Sequence, residues 1–417
     1  MTRTSCMNCG ASRLSEFIDL RYQPNGNNFP TRESKDSEIL LPISMLVCQE
    51  CWQVQIAEFP SADFLFADHP YISGANVPIV EHFAALAAKL VERLKLPRNS
   101  LVFDIGCNDG TLLRSFQALG MRTLGIDPGG RTGELARDQG TLVARCFWNH
   151  GAGRAVRQLG LVPDLIVATA VFYHLPDLHD FIRGLREAMR EDTVFVIQCV
   201  NLKDLIERNQ FDHFYHEHSC IHSISPLKRL FEQHGMRLMD VEFIDIHGGS
   251  FLAYVGLESN PLPTSVHVAE AIDAEQAAGL QKLETYTEFA KRSRRNADDL
   301  VALLRQIKER GERVFALGAP VKGNTLLNYA GIGADLVELA TEVNQFKIGK
   351  LTPGTHIPIV DERTLEEQPD YYLILSWNFL DYLVGKYKRY LLEGGRFIVP
   401  VPEVRVLTFD AVAAGDS

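Results

Sequence analysis

The chain has 417 residues, 46% hydrophobic and 23% charged, with a formal net charge of −11. At roughly 150 residues per domain, that length accommodates two or three domains with full apolar cores. The negative charge argues against nucleic acid or an anionic membrane as the main partner, and no apolar stretch approaches the roughly 18 residues of a membrane-spanning helix.

The opening residues "MTRTSCMNCG" carry no apolar run after the basic residue, so a cytoplasmic protein without a secretory signal is expected. Four cysteines pair as Cys6-x-x-Cys9 and Cys48-x-x-Cys51, while Cys107, Cys146, Cys199 and Cys220 are scattered. In a reducing compartment the doubled CxxC predicts a metal site rather than disulfides. Four thiolates complete a tetrahedral zinc set and leave no position for water, so the zinc of a domain over residues 1–65 is expected to be structural.

Residues 66–262 form the next unit. "EHFAALAAKLVERL" has helical spacing and ends before Pro97. Then "LVFDIG", "RTLGIDP", "TLVARCF", "DLIVATAVF" and "TVFVIQCV" alternate with helical patterns, which is the rhythm of an α/β parallel sheet covered on both faces. "MDVEFIDI" and "SFLAYVGLE" meet at Gly248-Gly249, as in a hairpin. Residues 263–310 are polar and helical and read as a solvated linker. Residues 311–417 begin a second α/β unit with "RVFALGAP" and "VKGNTLLNYAGI".

The loop "VFDIGCNDGTLL" joins the first strand of the middle unit to its first helix. Gly106 and Gly110 let the backbone turn close to a ligand, and the helix amides face it. Asp104 can accept from an ammonium, and Asp127, ending the next strand, from ribose hydroxyls. A nicotinamide dinucleotide uses similar geometry, but its fingerprint places glycine where Asn108 stands. Asp104 and Asp109 make the loop acidic. They would repel a pyrophosphate and attract the sulfonium and ammonium of S-adenosylmethionine, which is therefore the expected cofactor.

After the fifth strand comes "FDHFYHEHSC". Strand ends of such a sheet face the ligand crevice, so His213, His216 and His218 are placed there, with His174 from the preceding strand. Three readings compete: a catalytic metal, buried polar groups satisfying one another, and general acid–base chemistry. The last is favoured, with Glu217 orienting an imidazole and Tyr215 donating to an oxyanion. In the C-terminal unit Lys322 stands at a helix start where it could meet a diphosphate. Asn324 and Lys347 are further candidates for substrate binding, as is His216.

In order along the chain, the paired CxxC, "DIGCNDGTLL", "HLPDLHDF", "FYHEH", "HGGS", "GAPVKGNTLLNY", "KIGKLTPGTHIPI" and "SWNF" resemble the nucleotide-sugar C-methyltransferase family, which methylates C3 of 4-keto-deoxysugars on a dTDP carrier. The resemblance implies a zinc-binding domain, a class I methyltransferase core and a C-terminal Rossmann-like domain that helps hold the nucleotide. It implies His218 as base, with Tyr215 and Glu217 beside it, and His174 and Tyr71 near the sugar. The chain departs from the family where Phe251-Leu252 follow "HGGS", where Ser219-Cys220 follow "YHEH", and at Cys107. A nucleotide diphosphate sugar is thus the expected partner. The alternatives are methylation at oxygen or carbon of a non-sugar acceptor, and a non-catalytic zinc-bearing binding protein.

Overall fold

The structure is a computed structural model that describes residues 3–66 and 71–413. The N-terminal part supplies strands β1 (Leu14–Pro24), β2 (Leu40–Cys48) and β3 (Val54–Ile56). The middle part supplies β4 (Leu101–Ile105), β5 (Arg122–Ile126), β6 (Val143–Ala144), β7 (Leu165–Thr169), β8 (Val194–Val200), β9 (Cys220–Ile221), β10 (Met236–Ile244) and β11 (Ser250–Leu257). The C-terminal part supplies β12 (Val314–Leu317), β13 (Ala340–Glu342), β14 (Ile359–Asp361), β15 (Tyr371–Ile374), β16 (Arg396–Val399) and β17 (Arg405–Leu407).

The central sheet has the order β10-β11-β8-β7-β4-β5-β6. Strands β4 to β8 run parallel, whereas β11 is antiparallel to both β8 and β10. This is the class I methyltransferase arrangement. Strand β8, "VFVIQCV", is buried along its whole length because helices or other chain cover both faces. The order reverses between β4 and β7, and the ligand crevice of such a sheet lies at that switch point, beyond the carboxyl ends of its strands. The β10–β11 hairpin expected at the paired glycines forms, with Gly248 at φ +90° and Gly249 at φ +119°, conformations that favour glycine.

The C-terminal sheet has the order β14-β13-β12-β15-β16-β17, parallel except for β17. The Rossmann-like reading of this part therefore holds, with its own switch point between β12 and β15.

Two features depart from the sequence reading. The stretch 263–310 is not a solvated linker. It folds as helices Val266–Ala277 and Leu283–Glu309, and the longer one buries Tyr286, Phe289, Leu300, Leu304 and Ile307. Phe289 meets Phe17 and Phe214 edge to face or tilted, so this helix is a spine that all three parts pack against. Its charges sit on the remaining face, which makes the whole segment look polar. The second departure is β9, which pairs antiparallel with β3 and gives the N-terminal sheet the order β1-β2-β3-β9, while His222 just beyond it still bridges Asn201 at the end of β8. No described helix is long and apolar enough to cross a membrane.

Candidate active site

A cavity of about 410 Å³ opens at the carboxyl ends of β4, β5 and β7. Gly106 turns there at φ +78°, and a Cβ on it would stand 2.3 Å from Val171 Cγ2, so no larger residue fits. Asp104 is buried, and its Oδ1 has no hydrogen-bond partner among the described residues. Burial, and then the neighbouring Asp127, push its carboxyl up to about 8. An ammonium group is what would repay that buried acid, and S-adenosylmethionine carries one. Asp127 also lies on the cavity wall, with Oδ2 accepting from Asn108 N at 2.8 Å and Oδ1 from Gly129 N at 2.8 Å. Gly110 caps the helix Thr111–Ala118 at φ +76°, which presents that helix's N-terminus to the loop. Phe147 and Trp148 line another part of the cavity.

The Asn108 side chain is turned to the protein. Its Oδ1 accepts from Ser73 N and its Nδ2 donates to Tyr71 O, each at 3.0 Å, so the side chain anchors the segment that carries Tyr71. Tyr71 is 41% exposed and lines the same cavity, whereas the adjoining residues 68–70 of that motif lie outside the described residues.

If Asp104 receives the cofactor's ammonium, binding must strip its proton. A carboxyl pushed up to about 8 is largely protonated at pH 7, so S-adenosylhomocysteine should release a proton there, and the release should fall away as the pH rises through 8. Titration calorimetry in buffers of different ionisation enthalpy reads this directly, and Asp104→Asn should remove it. Release that is unchanged in Asp104→Asn would detach Asp104 from the cofactor.

The histidine segment packs behind the cavity. His218 is buried, and its Nδ1 donates to the His213 carbonyl at 2.6 Å. A carbonyl only accepts, so the ring proton sits on Nδ1 and the lone pair on Nε2. Nε2 has no partner among the described residues. Burial first, then His174, hold this imidazole well below its ordinary range, so it stays neutral. His174, on the cavity wall, stacks on it at 5.2 Å, and the Tyr215 ring lies 3.9 Å away, both between centroids. Burial, and then the Glu217 carboxylate, keep the Tyr215 hydroxyl protonated. The group that orients His218 is thus the His213 carbonyl, not Glu217 as the sequence suggests. His216 faces the other way and hydrogen-bonds the Leu41 carbonyl of β2 at 3.1 Å.

Lys322 is also buried, and desolvation lowers its ammonium to about 8 despite Asp212 nearby. Its Nζ donates to Asn378 Oδ1 at 2.7 Å and lies 4.3 Å from the Trp377 ring centroid, while Trp377 Nε1 donates to Asp212 Oδ2 at 2.6 Å. This cation therefore faces the histidine segment. Asn324 Nδ2 holds the Gly26 carbonyl at 2.8 Å. Lys347 is committed within the fold, donating to the Ala319 carbonyl at 2.9 Å and pairing with Glu342 at 3.3 Å.

Sequence reasoning missed Gln198 and His247, which both line the cavity, and His82, which meets Gln198 Oε1 at 2.6 Å. Gln198 had a signal: it is the one strongly polar residue in an otherwise apolar strand. His82 had none, because its helix reads as ordinary.

In the N-terminal part the Sγ atoms of Cys6, Cys9, Cys48 and Cys51 lie within 4.8 Å of one another. Cys6 and Cys51 approach to 3.6 Å, and Cys9 and Cys48 to 3.7 Å. Tetrahedral ligands at a Zn–S bond of about 2.3 Å stand about 3.8 Å apart, so the set fits zinc. Asn8 N donates to Cys6 Sγ and Glu50 N to Cys48 Sγ, each at 3.4 Å, which suits thiolates. Among the described residues this is the only cluster of three or more metal-ligating side chains close enough to share an ion.

A zinc binding domain model matches residues 6–66, a methyltransferase domain model 79–241, and a C-methyltransferase C-terminal domain model 245–402. The C-methyltransferase NovU of Streptomyces niveus is 31% identical over 408 residues, covering 97% of each chain. The chain belongs to this C-methyltransferase family. It is an S-adenosylmethionine-dependent methyltransferase with a structural zinc site. Two solved structures are similar to it in part. The magnesium protoporphyrin IX methyltransferase of Synechocystis PCC 6803 is 15% identical, with a TM-score of 0.33 over 43% of this chain and 79% of that one. The plantazolicin methyltransferase BpumL is 13% identical, with a TM-score of 0.35 over 44% of this chain and 86% of that one.

Proposed function

We propose that the enzyme methylates C3 of a nucleotide-linked 4-keto-deoxysugar through an enolate, with His218 as the base. The observation that carries this reading is the buried His218 Nε2, its lone pair unpartnered among the described residues and its Nδ1 pinned to a carbonyl. A ketone at C4 acidifies the neighbouring C3 proton. His218 Nε2 takes that proton, which leaves C3 nucleophilic. The protonated Tyr215 donates to the developing oxygen anion, and His174 shares that side of the site. Lys322 adds positive potential behind the histidines. Asp104 and Asp127 hold S-adenosylmethionine, which when bound supplies the electrophilic methyl group. Orientation by the fixed imidazole adds to the acid–base contribution of about 10²–10⁴-fold.

The C-terminal switch point, with Lys322 and the helix it begins, is assigned to the nucleotide diphosphate. The family relationship to NovU supports carbon as the methylated atom. Incubating the enzyme in D₂O with a dTDP-linked 4-keto-6-deoxyhexose and no methyl donor tests the reading. Deuterium at C3 is the expected result. Deuterium at C5, which flanks the same ketone, would keep the base and move the methylated carbon. No exchange, together with no thermal stabilisation by dTDP, UDP, GDP or CDP beside S-adenosylhomocysteine, would place the acceptor outside nucleotide sugars.

A further inference from the structure

We propose that Asn27, in the zinc-binding part, is a positioning residue for methyl transfer: its side-chain amide holds the Glu217 carboxylate and so fixes the segment that carries the base. This rests on the function proposed above. The zinc-binding and methyltransferase parts match separate domain models, yet Asn27 Nδ2 donates to Glu217 Oε1 at 2.7 Å across the boundary between them. Glu217 is buried, sits between His216 and His218, and bears on the Tyr215 hydroxyl.

The loop that presents Asn27 is itself built. Asn25 Oδ1 accepts from Asn27 N at 3.0 Å, and Asn25 O accepts from Asn28 N at 2.9 Å. On its far side the loop is clamped by the C-terminal part. Asn324 holds the Gly26 carbonyl, and Leu351 N donates to the Pro30 carbonyl at 2.9 Å. A Cβ on Gly26 would stand 2.7 Å from Val321 Cγ2, so the loop is wedged against the start of the helix that carries Lys322. The same N-terminal part grips the catalytic segment at three more points: the Leu41 carbonyl on His216, Ile56 N on the Ser219 carbonyl at 2.9 Å, and β3 on β9. Asn27 is the contact in this series that reaches an acidic side chain beside the base. Through it, the spacing between the C-terminal Lys322 helix and the histidine segment is set by residues of the zinc-binding part.

The test compares Asn27→Ala, Asn27→Asp, Glu217→Gln and the Asn27→Ala/Glu217→Gln double variant in the full-length, zinc-loaded enzyme. Losing a hydrogen bond to a charged group should lower kcat on the dTDP-linked 4-keto-6-deoxyhexose by about 10–100-fold in Asn27→Ala. Asn27→Asp keeps the size but sets a carboxylate against Glu217, and should lose more. KM for S-adenosylmethionine and zinc content should hold steady, and the double variant should be little worse than Glu217→Gln, since the two residues act as a unit. Amide exchange in residues 211–221 should quicken in both Asn27 variants while residues 101–126 stay protected.

A normal kcat in Asn27→Ala beside a lowered one in Glu217→Gln overturns the inference alone. A normal kcat in Glu217→Gln overturns the role of Glu217 and the inference with it. Equal losses in the alanine and aspartate variants, or strict additivity, make Asn27 a packing residue and also overturn it. If the wild type does not turn over this sugar, the proposed acceptor fails, and the amide-exchange comparison still decides: unchanged exchange over 211–221 rejects Asn27 as a positioning residue.

Discussion

On the function proposed above, His218→Ala should lower kcat by about 10²–10⁴-fold and abolish deuterium exchange at the sugar C3, while the affinity for S-adenosylhomocysteine should stay at the wild-type value. The separation follows from the geometry. The cavity proposed for the cofactor is lined by Asp104, Gly106 and Asp127 at the ends of β4 and β5, and His218 is not among the residues lining it. His218 instead stands one ring behind His174. His218→Asn is the control for packing, since it retains a side-chain N–H near the His213 carbonyl yet offers no basic nitrogen. It should be as inactive as the alanine variant. Exchange that persists in both variants would mean that another group takes the proton, and the identity of the base would have to be given up. Burial holds His218 neutral, so no loss of its basic form is expected on lowering the pH from 8 toward 6, the range in which an ordinary histidine would already be charging.

Removing the zinc is expected to abolish turnover while leaving cofactor binding largely intact. Structural zinc sites in small domains contribute about 10–16 kcal/mol at neutral pH, comparable with or larger than the net stability of a typical domain. Cys48 is fully buried at the end of β2, and β2 also presents the Leu41 carbonyl to His216. Loosening that strand therefore reaches the catalytic segment, whereas β4 and β5 lie in a separate sheet. Cys48→Ser, or chelation in mild denaturant, should lower the melting temperature, release one zinc per chain and stop turnover, with calorimetry still recording S-adenosylhomocysteine binding. Metal analysis that finds no zinc in active enzyme would remove the structural-zinc assignment. Full activity in Cys48→Ser would remove the link between that site and the histidines.

Chemistry carried by closely spaced residues is legible in the sequence itself. The CxxC pairs, the glycines on either side of Asn108, and Asp127 at a strand end each suggest a role within a few positions. The identity of the central sheet is legible too, because its buried strands are uninterrupted apolar runs. What stays hidden depends on partners far along the chain. The contact between Asn27 and Glu217 spans 190 positions, and nothing in "RYQPNGNNFP" beyond loop composition marks it. Lys322 reads as a cation at a helix start that could meet a diphosphate, and its burial beside Trp377 has no local signal because it comes from the C-terminal part closing over the histidine segment. The helix Leu283–Glu309 misleads for a related reason. Its apolar residues suffice for one buried stripe, and composition averaged over the segment conceals a stripe.

Strand β9 also sets an order of events during synthesis. Strands β1, β2 and β3 leave the ribosome early, but β9 lies at residues 220–221 and must wait for the intervening 160 or so residues to be made. Until then β3 is a bare edge, open to pairing with any extended segment, including the same strand of another nascent copy. The short length of β3, three residues, limits that hazard. The last step that closes the N-terminal sheet is also the step that draws His218 into place. A chain whose first domain has misassembled cannot hold the proposed base in place, so the burst of correctly folded protein and the appearance of activity should coincide in a refolding time course.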